Sequence, residues 1–121
     1  MTLEINSVII GGNLTKDVVI KDTPAGKKVC MFTLANNRTY LSNNQKITET
    51  SFVDIEVWGN LAENCSKYLK KGSPVVITGR LKQERWDTPS GEHRSRFKVV
   101  ASNVQFLSSG NKGGAQRQPS V

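Results

Sequence analysis

From Glu49 to Trp58 the chain alternates. Val53, Ile55 and Val57 are β-branched and apolar, while Phe52, Asp54, Glu56 and Trp58 fall between and beside them. A period of two predicts a half-buried strand with one face in the core and one in water. The pattern returns further on: Val75, Ile77 and Leu81 share one face of a second strand, and Thr78, Arg80, Lys82, Glu84 and Trp86 share the other. Between the two, Leu61, Cys65 and Leu69 recur every four residues, the spacing of a buried stripe on a short helix. Asn60 is placed to cap that helix, with Glu63 completing a capping box, and Gly72 is placed as its left-handed exit. Lys67, Lys70 and Lys71 gather near the negative end of the helix dipole, a sufficient reason for their presence.

The remaining segments read as strands joined by loops. Asn6 to Leu14 is a first strand whose Gly11 and Gly12 predict a bulge or sharp coil; Val18 to Lys21 is a second, closed by a Thr-Pro-Ala-Gly turn. Lys28 to Tyr40 begins apolar on both faces and ends polar, so that Arg38 and Tyr40 project together at a sheet margin. Residues 41–48 read as a mobile finger and 87–93 as a loop. Beyond them Arg94, Arg96 and Lys98 share a face that extends the cationic strip of Arg80 and Lys82. The order of elements predicts an all-β fold, a five-stranded OB barrel with one short α-helix between strands 3 and 4. Residues 1–107 form the folded domain in this reading, and 108–121, rich in Gly, Ser, Gln and Pro, form a disordered tail.

Composition narrows the function. A chain of 121 residues suits one domain, and a formal charge of +7 favours a polyanionic partner. Nucleic acid ranks ahead of membrane, because there is no long apolar run and no basic amphipathic helix. The amino terminus has no basic segment followed by an apolar one, so a cytoplasmic, nucleoid-associated protein is expected. Cys30 and Cys65 read as reduced core residues and His93 as a surface residue. No catalytic constellation and no metal-ligand spacing is present, and no cofactor is expected. Asp54 and Glu56 share a strand face, where a cross-strand lysine or arginine is the expected partner.

That leaves Phe52, Trp58 and Trp86 on faces that should be polar. Such rings can cover a subunit contact, but three of them flanked by cations fit the stacking of unpaired bases better. Three motifs, NSVIIGGNLTKD, WGNLAENCSKYLKKGS and VVITGRLKQERW, occur in that order, and with them the span from Asn6 to Val100 resembles the bacterial single-stranded DNA-binding proteins. The resemblance implies that Tyr40, Phe52, Trp58 and Trp86 stack bases, that Lys71 and Arg85 contact phosphates, and that the protein is a homotetramer wrapped by DNA. Arg38, Arg80, Lys82, Arg94 and Arg96 complete the candidate site from the basic faces.

There are departures from the family pattern. Asp54 and Asn60 stand where relatives are often basic, and the final residues Gln-Pro-Ser-Val lack the acidic tip through which relatives dock partner proteins. Tail-mediated partners are therefore not expected. The resulting reading is a non-enzymatic, sequence-independent binder of single-stranded DNA acting in replication, recombination and repair. An accessory primosomal OB protein acting through protein contacts, and an OB-fold RNA binder, remain as alternatives.

Overall fold

Two long antiparallel hairpins organise the chain. Strands β3 (Lys28–Ser42) and β4 (Gln45–Trp58) pair from Val29↔Trp58 to Ser42↔Gln45, and strands β5 (Pro74–Asp87) and β6 (His93–Phe106) pair from Val75↔Phe106 to Asp87↔His93. The hairpins meet where β6 runs parallel to β4 through Ile55↔Val99 and Glu56↔Val100. Strand β1 (Val8–Leu14) closes the circuit, pairing β5 along Val8–Asn13 and β3 at Asn13–Leu14. The result is a closed five-stranded barrel with one short helix. A computed structural model describes residues 1–107, and the expectations for the 108–121 tail lie outside the described residues.

The helix α1 (Gly59–Tyr68) follows β4, one strand later than expected. The difference arises from β2 (Val19–Asp22), four exposed residues that pair only with β3 and stand outside the barrel. Among the five barrel strands alone, α1 follows the third.

The core forms from the inward positions of every barrel strand. Leu14, Cys30, Leu34, Ile55, Val57, Val75, Ile77 and Val99 are essentially sealed from water, and α1 plugs the barrel with Ala62 and Cys65. Leu69, just past the helix, completes that stripe, while Leu61 is only half-buried. The Cys65 thiol is held well above its ordinary range, by its hydrogen bond with Cys30 and then by burial, so both cysteines are packing residues.

Several local expectations are corrected. No capping box forms: the chain turns at Gly59 with φ 71°, Trp58 takes the N-cap position without a side-chain bond, and Asn60 is already inside the first turn. The helix ends at Leu69, whose N–H reaches Cys65 O at 2.9 Å. Gly72 is left-handed but serves the Lys70–Ser73 turn beyond it. The finger expected over residues 41–48 is paired strand rather than irregular chain. Asn43 and Asn44, at φ 52° and 64°, make a two-residue hairpin turn that carries β3 and β4 far beyond the barrel. Gly11 and Gly12 pair in unbroken register with Val76 and Val75 rather than forming a bulge. Gly12 is required because β1 passes so close to β3 there that a Cβ would strike the Ala35 carbonyl. The bulge lies instead opposite Thr78 and Gly79, where Ser102 on β6 is the unpaired residue and its hydroxyl donates to Thr78 O.

Candidate nucleic-acid interface

Cross-strand register places one set of side chains on the outer face of the barrel. Phe52, Asp54, Glu56 and Trp58 alternate outward along β4, while Arg80, Lys82, Glu84 and Trp86 do so along β5. Between these strands runs β6, where Arg94 lies opposite Trp86, Arg96 opposite Glu84 and Lys98 opposite Lys82. The face expected from the sequence is therefore assembled. Its charge is not distributed as expected.

At its centre the cations are consumed by acids. Lys98 is buried, with its Nζ 2.6 Å from Glu56 Oε1 and 3.1 Å from Glu84 Oε2. Arg96 donates from Nε to Glu84 Oε1 at 3.0 Å and lies 3.8 Å from Asp54 Oδ2, and Asp54 also accepts from the Thr33 hydroxyl at 2.8 Å. Burial is the largest influence on the Lys98 ammonium and lowers its pKa, yet the Glu56 and Glu84 carboxylates together outweigh it and hold the group above the ordinary lysine range. Glu84 is held below the usual carboxylate range by Lys98 first and Arg96 second. Arg94 is bound 2.6 Å from Glu92. Asp54 and Glu56 thus have the cross-strand partners anticipated, and the strip from Arg94 to Lys98 is an ion-pair network rather than an open cationic track. The acids at 54, 56 and 84 were visible in sequence; that β4 lies beside β6 was not.

Around this network the rings stand in water. Phe52 is 69% exposed, Trp58 41% and Trp86 45%. The Arg96 guanidinium carbon is 5.9 Å from the Trp86 ring centroid, so ring and cation present a joint surface. Arg80 and Lys82 share this face and have no ion-pair partner among the described residues.

The other candidates lie elsewhere. Arg38 and Tyr40, with the guanidinium carbon 5.0 Å from the ring centroid, occupy the opposite side of the β3–β4 hairpin from Phe52, and Arg38 also lies 3.6 Å from Glu49. Arg85 points away from Trp86 on β5 and donates to Gln83 Oε1 at 2.8 Å. Lys71 sits in the turn after α1, its backbone N–H held by Asp17 at 2.8 Å. The eleven candidates are therefore spread over both faces of the two projecting hairpins and the base of the helix, as an extended ligand requires and a compact one does not.

Two open cavities flank the rings. One of about 580 Å³ lies at the β5–β6 tip among Trp86, Asp87, His93 and Arg94, where His93 Nδ1 is 2.6 Å from Asp87 Oδ1. The other, of about 500 Å³, opens beside Trp58 and is lined by Lys27, Lys28 and Asn60. Sequence reading missed the second because the turn that supplies its lysines is remote from Trp58 along the chain. Among the described residues no group of His, Cys, Asp or Glu is arranged to hold a metal ion, and no helix is long and apolar enough to cross a membrane.

Residues 5–107 match the single-strand binding protein family. The chain belongs to that family. A single-stranded DNA-binding protein of Treponema pallidum is 41% identical over 94% of this chain and 64% of the relative. One from Bacillus cereus is 42% identical over 93% of this chain and 65% of the relative. The chain thus spans just under two thirds of the length of these members of the single-strand binding protein family. Among solved structures, the Plasmodium falciparum SSB in complex with ssDNA is similar, with a TM-score of 0.82 and 25% identity over 89% of this chain and 99% of the other. The matched span takes in all six strands and α1, so membership of the single-strand binding protein family rests on the whole barrel and not on one motif.

Proposed function

We propose that this chain binds single-stranded DNA without regard to sequence and covers it during replication, recombination and repair. The observation that carries the proposal is the set of exposed rings, Phe52, Trp58 and Trp86, on a barrel face where cations stand beside them. An aromatic face stacks any base, because every base has a π surface, and this makes binding tolerant of sequence. Arg80, Lys82, Arg85 and Lys71 supply charge for phosphates, while Arg96 contributes a guanidinium plane beside Trp86. Tyr40 and Arg38 on the β3–β4 hairpin extend the path to that hairpin's other side. Family membership supports the same reading, as do relatives named for this activity. Self-association into a homotetramer is part of the proposal. The exposed apolar side chains Leu3, Ile5 and Ile9 offer surface for it.

The test is a tryptophan-fluorescence titration with dT, rU and duplex DNA at two salt concentrations. Quenching by dT with weak duplex binding is expected, with log affinity falling against log salt by about 0.7 per phosphate contacted. Preference for rU moves the proposal to RNA, and absence of homopolymer binding overturns it.

A further inference from the structure

The cavity beside Trp58 joins an exposed ring to a cation that, like Arg80 and Lys82, has no partner among the described residues, but that comes from outside the β4–β6 face. Its walls come from the turn between β2 and β3, which brings Lys27 and Lys28, and from the junction of β4 with α1, which brings Trp58, Asn60 and Glu63. Register explains the meeting. Val29 lies opposite Trp58 at the end of the β3–β4 ladder, so the residues just before Val29 and just after Trp58 must diverge from the same point.

The two lysines are not equivalent. Lys28 is committed to the fold, its Nζ 2.7 Å from Asp22 Oδ1 across the β2–β3 pair. Lys27 is exposed, and its ammonium has no hydrogen bond or ion pair among the described residues. Its backbone, by contrast, is fixed. The Lys27 N–H donates to Thr23 Oγ1 at 3.1 Å, and the Lys27 carbonyl accepts from the Thr23 N–H at 2.8 Å and from the Thr23 hydroxyl at 3.1 Å. A free charge is thus held on a rigid turn at the edge of a half-exposed indole.

At about 500 Å³ the space is within the roughly 300–1,000 Å³ range of small-ligand sites, so a single nucleotide unit fits it. Asn60 offers both a donor and an acceptor, and so can meet the edge of any base without selecting by charge. Glu63, the acid in the lining, belongs to α1, which leaves the turn side as the favourable approach for a phosphate. We propose that this cavity is a nucleotide subsite in which the Trp58 ring stacks a base and Lys27 takes the adjoining backbone phosphate. The inference rests on the single-stranded DNA reading and adds to it a cation supplied from outside the β4–β6 face.

Trp58 and Trp86 are the only tryptophans, so Trp86→Phe makes Trp58 the sole reporter. In that background, dT oligomers should quench Trp58. Adding Lys27→Gln should lower the salt slope by about 0.7, one phosphate for a single strand, whereas Lys28→Gln should leave it in place. Between 50 and 200 mM salt, that difference reduces the loss of affinity by about 2.5-fold. The same two lysine variants are measured in the otherwise unsubstituted chain, so the comparison survives if Trp86→Phe does not fold. Equal slope changes for both lysines would show diffuse charge and overturn the subsite. A silent Trp58 in a chain that still binds dT would overturn it too while leaving DNA binding intact. Failure of the unsubstituted chain to bind dT would remove both.

Discussion

Replacing Lys98 with Met keeps most of the aliphatic stem and removes the charge. In the folded protein the Lys98 and Glu56 side chains are 7% and 9% exposed, 2.6 Å apart, so the substitution strands a carboxylate in the interior. Removing one partner of a buried pair typically costs about 3–5 kcal/mol, because the other charge stays desolvated. Glu84, the second acid on Lys98, is 39% exposed and retains Arg96, so its share is small. The expected loss is therefore near the low end, about 3 kcal/mol. At about 2.1 cal/mol/K of unfolding entropy per residue, that lowers Tm of a domain spanning residues 1–107 by about 13 °C.

Urea and thermal unfolding followed by circular dichroism measure the loss. Two controls identify its cause. Glu56→Leu added to Lys98→Met should recover most of the stability, since the stranded charge is gone. Glu56→Gln added to Lys98→Met should also narrow the deficit, since a neutral amide leaves no stranded charge. The salt slope of DNA binding should be unchanged, because Lys98 is already neutralised. A loss below about 0.5 kcal/mol, typical of an open surface position, would refute the burial argument. A reduced salt slope would return Lys98 to the phosphate track.

Three further outcomes follow from the geometry. Trp86→Ala should weaken homopolymer binding by about tenfold or more with the fold retained, since a stacked base is worth about 1–3 kcal/mol; unchanged affinity in a titration removes Trp86 from the site. Arg80→Gln should lower the salt slope by about 0.7, whereas Arg96→Gln should lower it less, because Glu84 and Asp54 already balance Arg96; the reverse ranking contradicts the charge map. Glu84, with its pKa depressed below 4.5, stabilises the fold fully above that pH and loses its contribution as the pH falls through the depressed value, so Glu84→Gln should flatten the acid limb of a stability-pH curve.

Period-two alternation was enough to locate the barrel strands and most of their inward residues, since Ile55, Val57, Val75 and Ile77 are buried; Leu81, expected on the same face, is 43% exposed because β5 runs past the core there. It was enough for the exposed rings as well, since Phe52, Trp58 and Trp86 violate it. What alternation does not carry is which strands become neighbours. Lys98 reads as one more outward cation until β6 is laid beside β4, where Glu56 buries it. The finger over 41–48 was legible but its pairing was not, because its polarity suggested a loop although Asn43 and Asn44 tolerate the left-handed conformations of a tight hairpin turn. The Trp58 cavity was out of reach for the same reason as Lys98, since its two walls come from segments about thirty residues apart that meet only when β3 pairs with β4.

Exposed rings beside cations should recognise unpaired bases whatever their sequence. Fluorescence anisotropy with three labelled single strands of unrelated sequence, each compared with its own duplex at two salt concentrations, tests it directly. Similar affinities for the three strands, weaker binding to every duplex, and a loss of affinity with salt for all are expected. Duplex binding as tight as single-strand binding, or a strong preference for one sequence, would contradict this.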